Sequence, residues 1–153
     1  MYRNRFPRYM KRCLVLFGVL FIFYPNLVLA AERYAVTGEI ANIRSGPGTK
    51  HEVLFQAEKY YPIILLEKRG NWYKIEDFEG DKGWIHKSLA DKIQSVITIK
   101  PKCNVRSGPG INYQIAFICE KGVPFRVIER KGNWIHVRHA DGYKGWMHKS
   151  LVW

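Results

Sequence analysis

Beyond its first thirty residues, this sequence keeps no apolar side chains at helical spacing over a useful length, which excludes a helical architecture. Cysteine is scarce. There are three, and with Cys13 near the N-terminus only Cys103 and Cys119 remain for the body of the chain. No cysteine stands directly after the one long apolar run, which argues against a lipid-anchored lipoprotein. Acids are missing from two places. Residues 1–30 hold five Lys/Arg and no Asp/Glu, and residues 96–153 hold ten cations against three acids, whereas residues 34–91 hold eight against nine. Most of the net charge of +12 therefore sits in the N-terminal segment and in the last third of the chain. Such asymmetry bears on partners, not on fold.

The N-terminal segment runs from Arg3, Arg5, Arg8, Lys11 and Arg12 into an apolar stretch, Leu14 to Phe23, and ends in Leu27-Val-Leu-Ala-Ala31. A basic start, an apolar middle and a small-residue end make residues 1–30 a signal peptide, with Val28-x-Ala30 as the cleavage signature. Met10-Lys11-Arg12 would itself open a leader of ordinary length, so translation from Met10 is a second reading. An uncleaved anchor is the alternative to cleavage, although Pro25 and Asn26 interrupt the run and it is short for a span of ~20 residues. The membrane would then be met only through the leader. The expected location is exported, periplasmic or extracellular.

The rest of the chain is a repeat. Asn42-Ile-Arg-Ser-Gly-Pro-Gly48 returns as Asn104-Val-Arg-Ser-Gly-Pro-Gly110, an offset of 62 residues. The same offset carries Gly70-Asn71-Trp72 onto Gly132-Asn133-Trp134, and Lys82-Gly83-Trp84 onto Lys144-Gly145-Trp146. It also carries His86-Lys87-Ser88-Leu89 onto His148-Lys149-Ser150-Leu151, with no gap anywhere. The domains are expected at 34–91 and 96–153. They use up nearly all of the chain beyond the leader and leave no room for a third, catalytic domain. A module this small buries only ~60% of its unfolded surface and is marginal alone.

Within each copy, short alternating segments are punctuated by Gly and Pro. In the second copy, Ile97, Ile99, Cys103 and Val105 alternate with polar residues, and Pro101 places that strand at an edge or breaks it. Pro109 and Gly110 suit the second and third positions of a type II turn, where the third residue needs positive φ. The segments Ile115–Cys119, Val123–Glu129, Trp134–Arg138 and Gly145–His148 follow. Regularly spaced short strands with turn signals indicate an all-β fold, two small antiparallel barrels or sandwiches.

With N-[IV]-R-S-G-P-G, G-N-W and K-G-W-[IM]-H-K-S-L in hand, each copy resembles a bacterial SH3-like domain. The resemblance spans essentially all of residues 34–153, twice. It implies two tandem SH3-like β-barrels in an exported protein, and a non-enzymatic binding role in which cell-wall polymer of peptidoglycan type is the expected partner. A protein of the envelope is the alternative partner. The acidic loop and paired tyrosines through which eukaryotic SH3 domains take Pro-rich peptides are not found, and an export signal sets nucleic acid aside. Oligomeric state is not readable.

Candidate binding residues follow from comparing the copies. Lys100, Lys102, Arg126 and Arg138 are cations of the second copy alone, and would suit an anionic polymer or the carboxylates of peptide stems. Against this stands a solvated basic face that only aids solubility. Trp72 and Trp134 could stack on sugar rings or could belong to the barrel rim. Trp84 and Trp146 are expected to pack. Cys103 and Cys119 replace Ala41 and Ala57, so they are expected to be neighbours in space, either bridged as a disulfide or free as small apolar residues. No metal, cofactor or catalytic group is expected. His86 and His148 recur and so do a local structural job, and His136 and His139 point to opposite faces of a strand.

Overall fold

The computed structural model describes residues 31–153, and the signal segment expected over residues 1–30 lies outside them. The first module contains β1 (Glu32–Val36), β2 (Ile40–Arg44), β3 (Val53–Glu58), β4 (Pro62–Arg69), β5 (Trp72–Glu76), β6 (Lys82–His86) and the short β7 (Ala90–Asp91). The second contains β8 (Ser95–Ile97), β9 (Cys103–Arg106), β10 (Ile115–Cys119), β11 (Pro124–Lys131), β12 (Trp134–Arg138) and β13 (Lys144–His148). Among the described residues the helical pieces are two 3₁₀ turns, Lys87–Leu89 and Lys149–Leu151. The chain is all-β, two small SH3-like barrels in tandem.

The first sheet is ordered β3-β2-β6-β5-β4-β1-β7 and the second β10-β9-β13-β12-β11-β8, with a Thr98–Val152 bridge in the place of β7. The repeat extends to the register. Ala35 faces Pro62 as Ile97 faces Pro124, and Ile75 faces Gly83 as Val137 faces Gly145. The irregularities recur too. One bulge leaves Leu66 and Ile128 out of the ladder, and another leaves out Leu54 and Ala116. A bulge adds local twist, which bends a flat sheet toward closure.

Each motif of the repeat has a packing reason. Gly70 and Gly132 take φ of +58° and +59° at the first position of the two-residue Gly-Asn loops joining β4 to β5 and β11 to β12. With no positive φ at either asparagine, these are Gly-first type II′ hairpins, whose twist matches the strands. In K-G-W, the glycine lets two strands touch: a Cβ on Gly145 would lie 2.5 Å from Val105 Cγ1 and 2.8 Å from the Arg106 carbonyl oxygen.

The N-x-R-S-G-P-G loop departs from expectation. Gly110 is not at positive φ, so Pro109-Gly110 is not a type II turn. Instead the Gly110 N–H donates across Pro109 to the Gly108 carbonyl at 3.0 Å, and Gly48 does the same to Gly46. The arginine closes the loop: Arg106 Nη1 donates to the Tyr113 carbonyl and Arg44 Nη1 to that of His51, both at 2.8 Å. These side-chain bonds hold the loop without the positive-φ glycine that a type II turn would need.

Proline marks the strand limits. β4 and β11 open on Pro62 and Pro124, where the missing N–H costs no ladder bond, and the alternating run from Ile97 to Val105 divides around Pro101. The first core packs Ile43, Ile63, Ile75 and Ile85 with Val36, and the second packs Val105, Phe125, Ile135, Val137 and Met147.

Candidate functional site

Two of the four cations peculiar to the second barrel, Arg126 and Arg138, meet on one side of it. In the ladder β11–β12–β13, Arg126 lies directly opposite Arg138, and Arg138 directly opposite Lys144. Opposed residues of an antiparallel pair share a face, with Cβ atoms ~4.5–5.5 Å apart, and like charges so placed destabilise the sheet. All three side chains are exposed, and among the described residues none has a carboxylate within ion-pairing distance. They line a shallow groove of about 270 Å³ floored by Val127 and by Ile128, the bulged residue.

The same row in the first barrel reads Ile64, Glu76, Lys82, and there Lys82 pairs with Glu76 at 3.3 Å. One barrel carries an apolar residue and an ion pair where the other carries three unpaired cations. Burial and core packing ask nothing of these exposed positions. The row therefore has a cost to folding that no ion pair among the described residues offsets. Lys144 completes it, although its cationic counterpart Lys82 makes it look like a shared scaffold residue in the sequence.

The other expected residues fall elsewhere. Lys100 and Lys102 flank Pro101 in the exposed connection between β8 and β9 and do not line the groove. Trp72 and Trp134 open β5 and β12, half-buried, each edge-on to the histidine opposite it: Trp72 to His86 at 5.3 Å and Trp134 to His148 at 5.5 Å. Those histidines cap the 3₁₀ turns, His86 Nδ1 accepting from the Ser88 N–H and His148 Nδ1 from that of Ser150. Trp84 is buried with the Arg69 guanidinium over its ring at 5.0 Å, and Trp146 is half-buried with His136 stacked on it at 4.7 Å. Neighbours thus already cover one face of each of these two indoles.

Cys103 and Cys119 are register partners in β9 and β10, opposite each other as Ala41 and Ala57 are, and both thiols are free. The Cys119 thiol lies 3.7 Å from the Cys103 carbonyl oxygen and points inward. Burial, followed by the neighbouring Cys103, pushes Cys119 up to about 12, and burial likewise raises Cys103. Thiols held protonated are poor nucleophiles, so nothing here resembles an activated Cys–His pair. Asp77 and His139 hold equivalent turns. Asp77 accepts from the Glu79 and Asp81 N–H groups at 2.9 Å and from Tyr61 Oη, and His139 Nδ1 accepts from the Asp141 N–H. Among the described residues no group of three or more His, Cys, Asp or Glu is placed to hold a metal ion.

With the motifs accounted for as construction, the comparison with known proteins decides the family. Residues 39–91 match one bacterial SH3 domain family and residues 100–153 match another. The chain belongs to the bacterial SH3 domain proteins. It is 24% identical over 151 residues to a protein of Bacillus subtilis named as an N-acetylmuramoyl-L-alanine amidase, YrvJ, covering 92% of this chain and 29% of that protein. It is 41% identical over 61 residues to a protein of Staphylococcus epidermidis named as a cell wall amidase, LytH, covering 39% of this chain and 21% of that one. The chain thus spans less than a third of these relatives. Among solved structures, an NlpC/P60 family protein of Bacillus cereus aligns over 79% of this chain and 55% of its own, with 12% identity and a TM-score of 0.38.

Proposed function

We propose that this tandem bacterial SH3 protein is an exported, non-enzymatic binding module that engages an anionic cell-wall polymer of peptidoglycan type through its second barrel. The observation that carries this reading is the row Arg126–Arg138–Lys144, three opposed cations with no carboxylate in pairing distance. Two relatives, one named as an N-acetylmuramoyl-L-alanine amidase and one as a cell wall amidase, support it. Guanidinium groups pair two-pronged with carboxylates, the chemistry that peptide stems present, and longer-range attraction concentrates a polyanion at the face before contact. The first barrel, close to neutral, acts as scaffold and spacer.

Retention on purified sacculi tests this. The full chain should be retained at low salt and released as ionic strength rises, and Arg126→Ala/Arg138→Ala should lose most of the retention. Undiminished retention of the double variant, or none by the parent protein, refutes it. A single dominant protein adduct on crosslinking in intact cells would point instead to an envelope protein as partner.

A further inference from the structure

The two barrels are joined by more than their linker. Lys121 of the second pairs with Glu79 of the first at 2.6 Å, and the Arg33 guanidinium lies over the Trp153 ring at 4.2 Å. Between them, along the linker, opens a cleft of about 510 Å³. Arg33 and Lys92 come to it from the first barrel and the linker, and Arg130 and Lys149 from the second. Four cations line the cleft and no acid does. Glu32, nearby, is already committed: it pairs with Lys92 at 3.3 Å and meets Lys68 at 4.0 Å, and the Lys92 ammonium holds its carboxyl below the ordinary range. Arg130 and Lys149 have no ion-pair partner among the described residues.

The two copies differ in charge around this cleft. Arg130 is the counterpart of Lys68, which has Glu32 beside it; the counterpart of Glu32 in the second copy is Gln94, which lines the cleft without charge. The counterpart of Asp91 is Trp153, an indole in place of a carboxylate. At both positions where the first copy carries an acid, the second has none. Ser95, opposite Arg126 in the β8–β11 ladder, also lines the cleft, so the cleft adjoins the cationic row.

We propose that this interdomain cleft is a second anion-binding site, formed only by the two barrels together, that takes a ligand bearing at least two carboxylate or phosphate groups. Cations on opposite walls suit separate anionic groups on one molecule better than a single monovalent ion. The Trp153 ring and the backbone of the ligand would pack between them. This site does not depend on the row Arg126–Arg138–Lys144, and either could exist without the other.

The test uses the ¹⁵N-labelled full chain, titrated at low ionic strength with pyrophosphate and, separately, with citrate. The Trp153 indole N–H and the Ser95 amide should shift saturably, and the affinity should fall as salt is added. Arg130→Gln/Lys149→Gln should weaken binding at the cleft at least about tenfold, since each removes a charge-assisted contact. Arg126→Ala/Arg138→Ala should weaken it clearly less than Arg130→Gln/Lys149→Gln does, because neither Arg126 nor Arg138 lines the cleft. Response to pyrophosphate alone marks the site as a phosphate site, to citrate alone as a carboxylate site, and to both as one reading charge. No saturable shift at Trp153 with either, shifts confined to the Arg126 row, or unchanged affinity in a folded Arg130→Gln/Lys149→Gln variant overturns the proposal. Unfolding curves of each variant identify any that fail to fold, and Arg33→Gln, on the opposite wall, then replaces the failed one with the same tenfold expectation.

Discussion

If the row Arg126–Arg138–Lys144 is kept for a ligand, abolishing it should make the protein more stable and less able to bind. Arg138→Glu is the sharpest perturbation, because Arg138 faces both other cations. The substitution removes two like-charge oppositions and creates two attractive ones, reproducing with Lys144 the pair that Glu76 and Lys82 make at 3.3 Å in the first barrel. Cross-strand charge pairs are worth roughly 0.2–1 kcal/mol each, and exposed ion pairs fall in the lower part of that range. Relief and attraction together should therefore add about 1 kcal/mol. For a domain of this size that is a rise of ~4–8 °C in melting temperature. Thermal unfolding followed by circular dichroism, at 50 mM and at 1 M salt, reads it. The gain should be present at the lower salt and largely gone at the higher, where the screening length is only ~3 Å. Retention on sacculi should fall in the same variant. A loss of stability, a gain that survives 1 M salt, or a stabilised variant that still binds would each refute the reasoning.

Further outcomes follow from the packing. Gly145→Ala should destabilise the second barrel by ~1–3 kcal/mol, since its Cβ meets backbone that cannot step aside, and a lowered urea midpoint would show it. Cys103 and Cys119, as opposed residues, have Cα atoms ~4.5–5.5 Å apart, inside the range a disulfide spans, so we expect a bridge to form in an oxidising compartment and to add roughly 3 kcal/mol. A mass 2 Da lower in protein recovered from an oxidising compartment would show the bond, and Cys103→Ala/Cys119→Ala should still fold because Ala41 and Ala57 fill those places in the first copy. While the thiols are free, their raised values mean that the unfolded chain ionises first, so stability should be level below about pH 8.5 and fall above it. Tyr60 sits at φ +70° where the second copy has Gly122 at +90°, so Tyr60→Gly should raise the melting temperature slightly by releasing left-handed strain of ~1 kcal/mol, offset in part by the added freedom of the unfolded chain.

The strands were legible because a half-buried strand writes its period of two into the sequence, and the turns because Gly70, Gly132 and the prolines leave few alternatives. The Cys103–Cys119 proximity was legible for a different reason: two positions differing together between copies report a contact. The loop Arg106–Gly110 was misread because Pro-Gly has a strong turn preference, while the bond from the Arg106 guanidinium to the Tyr113 carbonyl is a longer-range contact that overrides it. The cationic row was only half legible. Counting back from the Gly132-Asn133 hairpin without interruption pairs Arg126 with His139, and only the bulge at Ile128 slides Arg138 into place. Nothing in the local sequence announces that bulge. The cleft was not legible at all, since it requires the relative placement of two modules.

At the groove and the cleft, four exchanges between the barrels run in one direction. Ile64 becomes Arg126, Glu76 becomes Arg138, Glu32 becomes Gln94 and Asp91 becomes Trp153. Each adds a cation or removes an acid, and all border the groove or the cleft. The interior shows the opposite behaviour. Tyr34 gives way to Val96 while Ile63 gives way to Phe125, a loss and a gain of ring within paired strands of one core. Core exchanges that balance volume keep a fold; surface exchanges that do not balance charge cost stability wherever cations face each other. A sheet tolerates that cost when compensating charge arrives from outside, and on the proposed reading an anionic partner at the second barrel would supply it.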